Sequence, residues 1–140
     1  MMYRRGFLPI VMVLLLFACN KTEPKNLLEI KKDYLVGRGT SLTSWKLNGL
    51  TIDSIPQVLS GSQVGYFKKY LSTNHFTDTD GATGDWSLPV IDSLKEVFKN
   101  YPSGIIVQQS AYISFLSYDS LSLTYLLNGK KVNARFKAVR

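Results

Sequence analysis

His75 is the single histidine of the chain, and with Asp78, Asp80 and Asp85 it forms the one polar grouping whose residue types could do chemistry. An imidazole close to carboxylates and to hydroxyls such as Ser72 is the raw material of general-base catalysis. Carboxylates alternating ahead of Gly81 are the raw material of a calcium loop. Neither pattern is completed. The calcium loop would need an oxygen ligand where Phe76 stands and a bidentate Glu where Ser87 stands. A zinc site would have one imidazole at most and no thiolate to help it. A hydrolase needs a nucleophile held against the base and donors for the oxyanion, and no Gly-x-Ser-x-Gly occurs. Asp80-Gly81 is instead a turn pair chosen for its backbone conformation, and His75 reads as a strand-end residue facing solvent. The sequence therefore predicts no bound metal, no cofactor and no enzyme.

Cys19 is the only cysteine, and its surroundings give the sulfur a different use. Arg4 and Arg5 precede an apolar run from Phe7 to Ala18, about twelve residues against the roughly 20 that a helix needs to cross a bilayer. A basic start, a short apolar middle and a small residue before a cut is an export signal. An exported protein with one Cys has no partner for an internal disulfide. Leu16-Phe17-Ala18-Cys19 resembles the bacterial lipobox, which implies a diacylglyceryl group on Cys19, cleavage before it and acylation, palmitate among the candidates, of the new amino end. Several chains on one residue anchor stably where one would be marginal. The expected organisation is a lipoprotein signal peptide at 1–18, a lipid-anchored tether at 19–25 and one folded domain at 26–140. The expected address is the cell envelope, with the outer membrane favoured over the inner because Asn20, and not Asp, follows the Cys. Cleavage lowers the formal charge from +7 to about +5, spread over Lys31, Lys32, Lys68, Lys69, Lys95, Lys99, Lys130, Lys131, Arg135, Lys137 and Arg140. No cluster among them argues for nucleic acid.

The elements that must carry these residues are mostly strands. Asn26 and Glu29 are placed to cap a short helix ending near Gly37, with Leu27, Ile30 and Tyr34 at helical spacing. From Thr43 onward apolar and polar residues alternate, and turn residues recur about every ten positions, an all-β signature. Trp45, Leu47 and Gly49 share one face of a first strand; Val64, Tyr66, Lys68 and Tyr70 share one face of a second. His75 to Thr77, Asp85 to Leu88 before Pro89, and Asp92 to Lys99 supply three more, the last followed by a turn at Tyr101-Pro102-Ser103-Gly104. Val107, Ala111, Ile113 and Phe115 line one face of a long strand. Leu121, Leu123, Tyr125 and Leu127 follow, then Asn128-Gly129, the strongest short hairpin signal, then Val132, Ala134, Phe136 and Ala138. About eight antiparallel strands in sequence order close most simply into an up-and-down barrel, which removes exposed sheet edges. A two-layer sandwich is the rival.

These residues resemble the small lipocalin-like lipoproteins found widely in Bacteroidetes-type bacteria. The matching pieces are the segment ending at Cys19, Ser44-Trp45-Lys46-Leu47-Asn48 with Ile52-Asp53, Phe76 to Gly81 running into Gly84-Asp85-Trp86-Ser87-Leu88-Pro89, and the hairpin at Asn128-Gly129-Lys130. The resemblance implies a lipocalin-like barrel better than it implies an activity. Lipocalins proper open their first strand with Gly-x-Trp, often under an Arg from the last strand. Here that spacing falls later, at Gly84-Asp85-Trp86, and Arg135 is placed to cover an indole. For Trp45 and Trp86 core packing is favoured over ligand contact.

The eight Tyr and seven Phe set the functional question. Trp45, Tyr66, Phe67, Phe76, Trp86, Tyr112, Phe115, Tyr125 and Phe136 are the candidate ligand-lining or core residues, and they fall on opposite strand faces. If the inward faces leave space, the barrel holds a small apolar or amphipathic molecule. If they fill it, the barrel is solid and exposed aromatics become protein or glycan contacts. Ligand binding is the leading expectation. An envelope interaction module, as an accessory subunit or an inhibitor, is the alternative, and the positive balance argues against a strongly cationic target.

Overall fold

The computed structural model describes residues 25–37, 42–99 and 106–140. Cys19, most of the tether and the expected turn at Tyr101-Gly104 lie outside them. Helix α1 (Leu27–Val36) is followed by β1 (Ser44–Ile52), β2 (Ile55–Gln57), β3 (Phe67–Tyr70), β4 (His75–Asp78), β5 (Thr83–Val90), β6 (Ser93–Phe98), β7 (Val107–Leu116), β8 (Ser120–Leu127) and β9 (Lys130–Val139).

Every pairing is antiparallel. The order β1-β3-β4-β5-β6-β7-β8-β9 closes when β9 pairs along the whole of β1, from Ser44↔Val139 to Ile52↔Val132. This is an eight-stranded up-and-down barrel of the lipocalin-like kind, with β2 folded back on the far half of β1 at Leu50↔Gln57. The turns follow their residues. Asn128 (φ 52°) and Gly129 (φ 76°) take the two left-handed positions of a tight hairpin. Asp53 (φ 48°) and Ser54 (φ 70°) do the same between β1 and β2.

Helix α1 begins with the capping box that Asn26 and Glu29 predict: Asn26 Oδ1 accepts from the Glu29 amide at 2.9 Å, and a Glu29 carboxylate oxygen accepts from the Asn26 amide. Its buried face differs from the expected one. Leu35 is fully buried with Leu28 and Val36 packed on the core, while Leu27 is 56% exposed. The helix is fixed by the indole of Trp45, which donates to the Leu35 carbonyl at 2.8 Å, so the side facing Trp45 becomes the buried one.

Three strand expectations are corrected. The second strand does not begin at Val64, which is exposed after a 3-10 turn over Gly61–Gln63; pairing starts at Phe67. The fourth does not stop before Pro89. β5 reaches Val90 because the register shifts between Ser87 and Val90, leaving the proline nitrogen outside the regular ladder. Phe115 leaves the inner face because β7 carries a shift between Ile113 and Phe115, turning its ring outward to 56% exposure.

Aromatic packing closes the end of the barrel next to α1. Trp45, Tyr70, Phe76 and Leu94 are wholly buried and Trp86 nearly so. The Trp86 ring meets Tyr70 edge-on at 5.6 Å, and its N–H donates to the Leu71 carbonyl at 3.0 Å. Gly84 is required here by space alone. A Cβ at that position would lie 2.0 Å from the Val97 carbonyl oxygen and 2.8 Å from the Phe76 ring.

Candidate functional site

Charge sits inside the barrel above this aromatic floor. Lys68 on β3 and Glu96 on β6 both point inward and are 8% and 4% exposed. The Lys68 ammonium donates to both Glu96 oxygens, at 2.9 and 3.1 Å, bridging two strands that are not neighbours. The Tyr70 hydroxyl donates to the same carboxylate at 2.7 Å. Phe76, Phe98 and Tyr70 surround the ammonium, their ring centres 5.3 to 6.0 Å from it. Lys68 counts among the dispersed cations of the sequence, and its alternation with Tyr66 and Tyr70 places it inside the barrel.

A second group continues the cluster. Tyr66 donates to Asp78 at 2.9 Å, and Asp78 also accepts from the amides of Asp80 and Ala82. Burial, then the Asp78 charge, pushes the Tyr66 phenol well above its ordinary range. Burial and then Glu96 do the same to Tyr70. On β8, Tyr125 is pushed up to about 12 by burial and then by the charge of Glu96. All three hydroxyls therefore stay protonated at neutral pH; those of Tyr66 and Tyr70 are committed to Asp78 and Glu96. Lys68 stands against Glu96 and Asp78, so the interior carries one more negative than positive group.

The other aromatic candidates divide by strand face. Trp45, Phe76, Trp86 and Phe136 are core, and Tyr66 and Tyr125 are inner and half-buried. Phe67, Tyr112 and Phe115 are not core. Phe67 lies on the outer wall beneath the Lys46 ammonium, and Tyr112 and Phe115 are 57% and 56% exposed. Arg135 covers no indole; it is exposed on the outer wall of β9 across Gly49, whose missing Cβ leaves room for the guanidinium.

The grouping around His75 comes together only in part. His75 Nδ1 lies 2.6 Å from an Asp85 oxygen, and Lys99 pairs with the other oxygen at 2.5 Å. The Lys99 contact, then His75, holds the Asp85 carboxyl below its usual range. Both residues are on the outer wall. Asp78 turns inward to Tyr66, and Asp80 stays in its turn. Among the described residues no three His, Cys, Asp or Glu side chains converge as a metal site.

A cleft of about 440 Å³ lies on the wall of β7 and β8. Its lining includes Ala111, Tyr112, Thr124, Tyr125, Leu126 and Lys131. Two of these, Ala111 and Tyr125, are inward-facing.

A lipocalin-like protein from Bacteroides uniformis ATCC 8492, known from a crystal structure, is similar to this chain at 19% identity with a TM-score of 0.49. The likeness covers 73% of this chain and 97% of that one. The fold is lipocalin-like on the strand pairing itself. No protein-family model matches the chain, and no curated protein matches it.

Proposed function

We propose that this protein is a lipid-anchored envelope lipoprotein whose barrel binds a small amphipathic molecule. The observation that carries the reading is the buried cluster of Lys68, Glu96 and Tyr70, with Tyr66 and Tyr125 beside it, set over an aromatic floor. A buried ion pair contributes little net stability compared with apolar residues of the same volume. A solid barrel would be served better by leucines at both positions. A barrel that must orient a ligand is served by a few fixed polar groups in an apolar surround. The anchor is Cys19, supported by the lipobox-like residues before it, and the outer membrane is the favoured address. The reading takes the protein as a binder and not a catalyst. Among the described residues the His75 ring pairs with Asp85, and no hydroxyl is hydrogen-bonded to it.

Native mass spectrometry of the protein isolated from its own cells tests this. A bound small molecule of amphipathic character is expected, and its absence from every preparation would overturn the reading. The exposed Tyr112, Phe115 and Leu126 on one wall favour a second reading, an envelope protein partner docked there. Crosslinking in intact cells should then recover one reproducible partner through that wall, and recovery of none removes it.

A further inference from the structure

The barrel wall is not closed along its whole height. The ladder between β7 and β8 runs through Leu116↔Leu121, Phe115↔Ser122 and Ile113↔Leu123 to Tyr112↔Thr124, and there it stops. Beyond that point β7 continues on β6 as far as Phe98↔Val107, and β8 continues on β9 as far as Leu127↔Lys130. Each strand keeps its outer neighbour, and the two part from one another. Val107–Ala111 and Tyr125–Leu127 thus face each other across a gap with no ladder between them. The cleft of about 440 Å³ lies at this gap, within the size range of small-molecule sites.

The gap leads inward. Tyr125 lines it and also lies within the electrostatic reach of Glu96. Ala111, the other inward residue of the lining, is small where a larger side chain would plug the opening. At the outer rim Leu126 is 76% and Tyr112 57% exposed. A route that is apolar at its mouth and ends on an inward-facing phenol donor suits a molecule with an apolar chain and a polar head. Both oxygens of Glu96 already accept from Lys68, and the Glu96 charge reaches Tyr125, while Lys131 stands at the outer part of the cleft. An anionic head seated on Tyr125 would meet the Glu96 charge. A hydroxyl or ester head, able to accept from Tyr125, would not.

Resting on the ligand-binding reading above, we propose that the β7–β8 gap is the barrel's side door. Through it an uncharged single-chain amphiphile, such as a long-chain alcohol or monoacylglycerol, passes and is held, its head on Tyr125 and its chain along Ala111, Tyr112 and Leu126.

Continuing the register beyond Tyr112↔Thr124 would set Ser110 opposite Leu126, and both line the cleft from its outer side. The full-length lipidated protein carrying Ser110→Cys and Leu126→Cys, displayed on nanodiscs, is bridged by a short bis-methanethiosulfonate. The probe is a pyrene-labelled long-chain alcohol, followed by energy transfer from the protein's tryptophans in stopped flow. Bridging is expected to slow uptake at least tenfold relative to the same double variant left unbridged, and reductant to restore it. Uptake at the parent rate through a bridged wall would overturn the side door while leaving ligand binding intact. No energy transfer above the empty-disc background in the unbridged protein would overturn both. Competition by the unlabelled alcohol is expected to be at least tenfold stronger than by the acid of the same chain length; equal or stronger competition by the acid would overturn the head-group assignment.

Discussion

Replacing one member of the Lys68–Glu96 pair should be far more damaging than replacing both. Both side chains are almost wholly buried, and the carboxylate takes two bonds from Lys68 and one from Tyr70. In Glu96→Leu the ammonium loses its carboxylate acceptor and keeps three aromatic rings at 5.3 to 6.0 Å. Cation–π attraction of about 0.5–2 kcal/mol does not offset the desolvation of an unpaired ammonium. In Lys68→Met the carboxylate keeps the Tyr70 hydroxyl alone. Removing one partner of a buried pair costs about 3–5 kcal/mol, so each single variant should lose about that much. The double variant Lys68→Met/Glu96→Leu leaves no charge behind and should come within about 1 kcal/mol of the parent, or exceed it. The coupling between the two sites is then about 5 kcal/mol or more, well outside the additivity expected of independent positions. Urea unfolding followed by tryptophan fluorescence measures it. With a slope of about 1.5 kcal/mol per M, a loss of 4 kcal/mol moves the midpoint by roughly 2–3 M. Single variants that each lose under about 1 kcal/mol would mean the pair is hydrated in solution. A double variant as unstable as the two singles summed would mean the charges act independently. Either result refutes the argument. A stable double variant that no longer retains a ligand would separate the cluster's role in binding from any role in folding.

Gly84→Ala should destabilise by about 3 kcal/mol, at the upper end for overpacking because the new methyl meets a backbone carbonyl, lowering Tm by roughly 10 °C or more; a thermal melt within two or three degrees of the parent would contradict it. Trp45→Phe deletes the donor to the buried Leu35 carbonyl and should cost about 2–4 kcal/mol, with amide exchange accelerated first in α1; uniform acceleration across the barrel would argue against a local effect. The folded-state pKa of Tyr125 is raised to about 12, so its contribution to stability is complete below the unfolded value near 10 and is lost as pH rises from there through about 12. Phenolate absorbance should accordingly show a set of tyrosines that ionise only above the ordinary range, and a single transition of all of them near pH 10 in folded protein would count against the buried cluster. Cys19→Ser should abolish metabolic labelling with palmitate and release the protein from the membrane fraction; labelling that persists would remove the anchor from the proposal.

The strand order and the aromatic floor were legible because they rest on alternation and turn residues, which are local. Trp45, Leu47, Ala134 and Phe136 point inward as their period demands, and Asn128-Gly129 makes the hairpin its backbone preference dictates. Phe115 was lost to a bulge. A one-residue shift reverses every later side chain, and nothing in Ser114-Phe115-Leu116 announces it. The functional cluster was missed for another reason. Lys68 shares a face with Tyr66 and Tyr70, and Glu96 shares one with Leu94 and Phe98, so the period placed both charges inside. Composition alone suggests that charges belong in water, and that prior overrode the period. Two opposite charges on inward positions of different strands, each flanked by apolar residues two places away, are a pairing signal that period alone can reveal. What the sequence could not supply is that β3 and β6 face each other across the barrel. That follows only once eight strands have closed, and it turns two isolated anomalies into one bridge. The parting of β7 from β8 is likewise a consequence of closure: over Val107–Tyr112 and Thr124–Leu127 the side chains still alternate while each strand follows its other neighbour. A door in a barrel wall leaves no mark on residue types, only on which backbone groups find partners.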